Sequence, residues 1–457
     1  MQVELRSIAL SLEEPAQGRP AISSAEYDDR MRELYDAAGL DWVVVYGDRE
    51  HMANIAFLCG YDPRFEESLL VLGPNNSRNL IVGVEGQDYA AVVPVDIELM
   101  LCETFSLPGT SRSSAPRLAE VLRKTGIDTG EQIGLVGWKY LEHAETDSPD
   151  EPSFVPAFIV SVLDSIVGKG GTVNESSALM MHPETGIRAT NSLERIASFE
   201  WAAQLGAVNT MRIVRAARPG LTEREAISHF GYAGDAMPSH PSFISSDGFV
   251  NGLRSASGRK IQYGDAVLTG VGYSGGLSAR GGMMLGIPDT SFFDRLVAPY
   301  FRAHAVWYSN MRIGIAGMEV HNAVSKVLEG DGLQPMLNPG HLISLEEWMH
   351  SPVRPDSREK IRSGMVFQVD IIPGPMPTGQ FILCEDTVAF ADQGLRSEIR
   401  SAYPDLWGRI ERRRSFMREQ LGLDIREELL PLSDAAAYLP PFWLIDDLVC
   451  VISQAVQ

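Results

Sequence analysis

Three residues in the second half of the chain combine reactive side chains with unusual settings. His341 follows a glycine in Pro339-Gly340-His341-Leu342. Asp370 closes the apolar run Met365-Val-Phe-Gln-Val-Asp370. Glu385 closes Gln380-Phe-Ile-Leu-Cys-Glu385 and is followed by Asp386-Thr-Val388. The two acidic runs read as paired strands joined by a loop over 373–379. Period-two alternation puts Gln368 and Asp370 on one face of the first strand. It puts Leu383, Glu385 and Thr387 on one face of the second. A carboxylate within such a run is costly to bury unpaired, so something must neutralise it. Two carboxylates beside an imidazole can seat a cation or move a proton.

A second feature is an absence. Between Asp265 and Asp289 the sequence contains no carboxylate, although it is rich in glycine. Residues 270–275 (GVGYSG) formally match a GxGxxG motif after a strand. A dinucleotide site would need a helix to begin there, with its amide groups facing the pyrophosphate. Residues 277–286, LSARGGMMLG, have no helical period, so a glycine-rich β-turn is the expectation.

The elements that must carry these residues are legible in outline. Residues 24–40 read as a capped helix ending at Gly39. Strand-like runs come next at 41–46, 68–73, 79–83, 89–95 and 133–136, with helices at 115–125 and 157–168. Strands alternating with helices predict an α/β domain. Residues 169–191 are polar and mark a boundary. A long helix is predicted from Ser192 to Arg218, with Ile196, Phe199, Ala203, Leu205, Val208, Met211 and Val214 at helical spacing. It stops at Arg218-Pro-Gly-Leu-Thr222, where Thr222 caps the next helix. Residues 260–390 are mainly strand-like, and the tail returns to helix at 402–421. The apolar run 438–444 then packs in a core or across an interface.

Bulk properties exclude several classes of function. The 457 residues suit two domains. The net charge of −21 argues against nucleic acid or an anionic membrane as partner. The four cysteines, Cys59, Cys102, Cys384 and Cys450, lack metal-type spacing and suit a reducing cytoplasm. The N-terminus lacks the basic start and apolar run of a signal peptide, and no stretch is long and apolar enough to span a membrane. A cytoplasmic protein is expected.

Taken in order, these motifs resemble the creatinase/aminopeptidase P/prolidase superfamily, the M24 or pita-bread hydrolases. The residues that carry the resemblance are Ser192-Leu-Glu-Arg-Ile196, Pro219-Gly-Leu-Thr-Glu223, Gly264-Asp265, Gly340-His341, Gly364-Met-Val-Phe367 and Glu385-Asp-Thr-Val388. The resemblance implies a creatinase-like α/β domain over 1–188, an α+β pita-bread domain over 189–430 and a C-terminal extension over 431–457. It also implies a homodimer. Superfamily members active on peptides hold two metal ions with two aspartates, one histidine and two further acids. Carried over, His341 takes the histidine position, and Asp370 and Glu385 take the two acid positions. Gly270 stands at the first aspartate. The second falls within 279–281, with Arg280 as the expected occupant. A histidine that serves substrate in the superfamily is replaced by Leu253, with Arg254 beside it. Trp348 stands at a second histidine position, and His350 lies close enough to recover the role.

These departures imply a metal-independent, creatinase-like hydrolase or lyase with no cofactor. It would cleave a C–N bond in a small, polar, nitrogen-containing acid. Asp370 and Glu385 would hold the nitrogen end and His341 would shuttle the proton. Arg280 or Arg254 would clamp a substrate carboxylate, with Trp348 and His350 lining the pocket. Two rivals stand beside this reading. One is a non-catalytic binding protein whose pocket is closed by an Arg280–Asp370/Glu385 ion pair. The other is a divergent Xaa-Pro aminopeptidase with a single residual metal.

Overall fold

The computed structural model describes every residue except Gln17, Ser111, Leu253 and 454–457. The chain divides into two units, Ile22–Ala189 and a second made of Met1–Ala21 with Thr190–Gln457. The first unit is built on a six-stranded sheet. Its spatial order is Glu98–Leu101, Ser77–Val82, Ser68–Gly73, Trp42–Gly47, Gln132–Val136 and Thr172–Glu175. Trp42–Gly47 is buried at every position because it is the centre of a sheet with helices on its faces. Helix Ser24–Ala38 begins where the Ser23 hydroxyl accepts from the Glu26 amide and ends at Gly39 in the left-handed region.

One expected strand is not there. The run 89–95 instead finishes the helix Val84–Tyr89 and turns through Ala90–Val92, and the strand comes later, at Glu98–Leu101. Pro94 has no N–H to give to a sheet ladder, so an apolar run through it is poorly placed as a strand. The unit boundary also differs at the start. Strand Gln2–Ser7 pairs with Leu448–Ser453, so the first residues belong with the last ones and not with 22–189. The segment 431–457 is likewise no appendage. Tyr438, Leu439, Phe442 and Trp443 are fully buried within the second unit.

The second unit is organised by helix Leu193–Ala216, capped by the Ser192 hydroxyl and buried along most of its length. Ile196, Phe199 and Ala203 share a core cluster with Ile343, Val366, Ala389 and Leu430. Two four-stranded sheets lie in this unit. One runs Leu383–Glu385, Gly276–Met283, Ala266–Tyr273, Ser242–Ser246. The other runs His341–Leu342, Val366–Gln368, Thr387–Phe390, Leu429–Pro431. The chain leaves the first sheet at Glu385 and enters the second at Thr387, so Asp386 sits at the crossing. The glycine-rich stretch is a hairpin, as its lack of helical period implies: Tyr273 pairs with Gly276 around a two-residue turn. Gly275 has φ +100, and a Cβ there would lie 2.2 Å from the Phe199 ring, so glycine is required twice over.

Candidate active site

Residues directly opposite one another on neighbouring strands share a face of the sheet. Gly270 pairs with Ala279, and Ala279 with Glu385. These three positions form one row, and Thr269, Arg280 and Cys384 form the next row, on the other face. The hairpin face shared with Glu385 therefore carries Gly270 and Ala279, neither with a ligand atom. The expectation that Arg280 occupies the second aspartate position is corrected by this register. On the face of Glu385 the residue in the 279–281 window that lies opposite Gly270 is Ala279.

His341 and Asp370 are brought to Glu385 by backbone bonds. His341 pairs with Gln368 in the second sheet. The Gly340 amide donates to the Asp370 carbonyl at 2.7 Å, and the Val369 amide to the Asp386 carbonyl at 2.9 Å. His341, Asp370 and Glu385 each offer one atom within 4.8 Å of the others, and all three are buried. The Gln368 amide donates to Glu385 Oε1 at 3.2 Å and itself receives the Thr387 hydroxyl at 2.6 Å.

The sequence reading missed a third acid. Glu347 Oε1 lies 3.2 Å from His341 Nε2, nearer than Glu385 Oε1 at 3.9 Å. Neither contact is aligned as a hydrogen bond, and Asp370 Oδ1 has no hydrogen-bond partner among the described residues either. Trp348 stacks on the His341 ring, with centroids 4.0 Å apart and planes at 19°. The position expected to hold a second histidine thus puts an indole against the first. His350 does not recover that role through Nδ1, which accepts from the Ser351 amide at 2.8 Å.

Burial pushes the Asp370 carboxyl up to about 6. His341 opposes this rise and Glu347 adds to it. Glu385 is held well above the usual carboxylate range by burial, then by Asp370, Glu347 and Asp386, against the Gln368 bond. Burial alone would lower His341, but Glu347 and Asp370 outweigh it and raise its pKa. Carboxylates in this number around one imidazole call for a proton or a cation among them.

The metal pair of the resemblance can be tested against these residues. Two ions need bridging anions between them. Gly270 and Ala279 supply none, so the residues present do not fit a pair. They do fit one divalent ion, which His341, Asp370 and Glu385 would hold with a mixed nitrogen and oxygen set.

The two arginines lie elsewhere. Arg280 is fully buried and its Nη2 donates to both Asp386 oxygens at 2.9 Å. Its other bonds go to Ser278 Oγ (3.3 Å) and to the carbonyls of Tyr438 (2.7 Å), Ala279 (2.7 Å), Glu385 (2.9 Å) and Ala435 (2.5 Å). It is neither a substrate clamp nor a partner for Asp370. Its side chain points to the back of the sheet, as its row requires. Arg254 grips Glu223, with Nη2 at 2.8 Å from Oε1 and Nη1 at 3.0 Å from Oε2. Burial would raise Glu223, but Arg254, Ser257 and Ser245 hold it down to about 2. That network explains Glu223 as a structural anchor. Leu253, at the displaced histidine position, lies outside the described residues.

Residues 198–392 match the model of metallopeptidase family M24. No curated protein sequence matches this chain. Solved structures of the same fold include a recombinant prolidase from Thermococcus sibiricus, with TM-score 0.64 and 16% identity, covering 82% of this chain and 96% of that one. An X-Pro aminopeptidase from Thermotoga maritima MSB8 aligns with TM-score 0.62 and 17% identity, covering 80% and 95%. The prolidase from Pyrococcus horikoshii OT3 aligns with TM-score 0.60 and 16% identity, again covering 80% and 95%. Residues 198–392 thus resemble the M24 metallopeptidases, and the chain shares the fold of these solved structures.

Proposed function

We propose that this M24-type hydrolase works without the metal pair and cleaves a C–N bond in a small molecule bearing a basic nitrogen. The observation that carries the reading is the row Gly270–Ala279–Glu385. Where two ligands are required there is no donor atom, yet Asp370, Glu385 and Glu347 still surround His341. In this reading Asp370 and Glu385 seat the substrate nitrogen. His341 Nε2 takes a proton from the attacking water and returns it to the leaving nitrogen as the C–N bond breaks. Glu347 and Asp370, which raise its pKa, stabilise the imidazolium that forms in that exchange.

The expected substrate narrows accordingly. A guanidinium is the favoured bidentate clamp for the carboxylate of a zwitterionic acid. With Arg280 behind the sheet and Arg254 on Glu223, the acid end has no assigned partner, and the basic nitrogen becomes the recognised feature. The ion-paired, non-catalytic alternative loses its motivating contact for the same reason. A single-metal hydrolase is the second reading, favoured by the three ligand atoms within 4.8 Å of one another. Cytoplasmic residence and a homodimer belong to the main proposal. The four cysteines are unpaired and buried, which suits a reducing compartment, and no described helix is long and apolar enough to cross a membrane.

The test is turnover of small amines, amidines and guanidino compounds by protein stripped with chelator. Hydrolysis that persists without metal and disappears in His341→Ala supports the proposal. Hydrolysis that requires one added divalent ion transfers the assignment to the second reading.

A further inference from the structure

We infer that Trp348 is the specificity-determining residue of this site, and that the nitrogen it selects is an N-alkylated ammonium that retains an N–H. The inference rests on the proposed role of Asp370 and Glu385 as the seat of a substrate nitrogen. It adds which nitrogen they seat.

Two surfaces meet at His341 Nε2. One is acidic: Glu347 Oε1 at 3.2 Å and Glu385 Oε1 at 3.9 Å, with Asp370 completing the group. The other is aromatic. Trp348 lies on the imidazole plane at 4.0 Å, yet the residue remains 37% exposed. One indole face is spent on the imidazole, and the residue, which follows Glu347 in the chain, keeps its remaining exposure to solvent. An indole next to carboxylates attracts a cation whose charge is spread over alkyl groups, because the ring quadrupole acts on that diffuse charge.

The acids impose a second demand. Asp370 Oδ1 is buried without a hydrogen-bond donor among the described residues, and a buried acceptor is costly to leave that way. An N–H satisfies it, whereas an alkyl group does not. A primary ammonium would serve the acids and leave the indole idle. A quaternary ammonium would use the indole and leave Asp370 Oδ1 unmet. A secondary or tertiary ammonium serves both.

The experiment uses the full-length protein and isothermal titration at constant ionic strength. The probes are ammonium, methylammonium, dimethylammonium, trimethylammonium and tetramethylammonium chloride. Affinity is expected to rise with methylation up to trimethylammonium and to fall for tetramethylammonium. Trp348→Leu is expected to flatten the rise, weakening trimethylammonium by about tenfold while leaving ammonium unchanged. Trp348→Phe should keep part of the rise, and it guards against loss of fold in the leucine variant. Glu385→Gln should weaken every member of the series. Ammonium binding with no dependence on methylation, or a dependence unchanged in Trp348→Leu, overturns the role of Trp348 and leaves the seat intact. Absence of binding by any member in the wild-type protein removes the seat itself.

Discussion

Glu385 and Asp386 are neighbours in the chain and nearly equal in burial, at 7% and 1% exposure, yet they face opposite sides of one crossing strand. Asp386 is saturated. It takes both bonds from Arg280 Nη2, the Ala437 amide at 3.0 Å and the Ser278 hydroxyl at 3.3 Å. Glu385 has the Gln368 amide, a misaligned imidazole and two other acids for company. The back of the sheet is a finished electrostatic structure and the front is an unfinished one. Buried acids that a protein completes internally hold the fold, and those it leaves incomplete are available to a ligand.

The largest expected effect breaks the back. Arg280→Met leaves Asp386 buried without its cation and should cost about 3–5 kcal/mol in urea unfolding. Arg280→Met combined with Asp386→Leu should recover most of that loss, because both charges then leave together. A single variant as stable as wild type would show that the back face is not held by this ion pair.

A smaller effect comes from an exception on the same side. His304 is buried, and neither ring nitrogen has a hydrogen-bond partner among the described residues. Burial, then the charge of Arg280, hold it down to about 3 from an ordinary value of 6.5. A base whose folded pKa is depressed contributes full stability above its ordinary value and loses it as pH falls toward the folded one. His304→Phe should therefore raise stability at neutral pH by about 1–2 kcal/mol and flatten the decline between pH 6.5 and about 3. A pH series of thermal melts checks both parts.

The smallest stability change is expected at the front, where function should change most. Asp370→Asn removes an unmet carboxylate and should leave stability within about 1 kcal/mol of wild type, or raise it. The same variant should lose the stabilisation that trimethylammonium or Mn²⁺ gives the wild-type protein in a thermal-shift assay. A large destabilisation without ligand would mean that Asp370 is structural, like Asp386.

The two faces also differ in how well the sequence shows them. His341, Asp370 and Glu385 are readable because acids closing apolar runs stand out, and strands such as Ser68–Gly73 are readable for the same apolar character. The direction of Arg280 is not. A shift of one residue along a strand turns a side chain to the opposite face, and only pairing with Glu385 settles that Ala279 faces forward. Glu347 gives no signal, since an acid in a polar loop looks like any solvated charge. Arg254 looks free in the sequence because Glu223, which holds it, comes from a distant turn.

The central claim is that the front face lacks a metal pair because Gly270 and Ala279 stand where ligands are needed. The direct measurement is the number of divalent ions retained per chain after incubation with Mn²⁺ and gel filtration. A Cβ on Gly270 would meet Ala279 Cβ at 3.3 Å and Ser242 Oγ at 3.6 Å, so small adjustments admit a side chain there. The wild-type protein is predicted to retain no more than one ion, and the Gly270→Asp/Ala279→Asp variant two. Two ions in the wild-type chain would contradict the account.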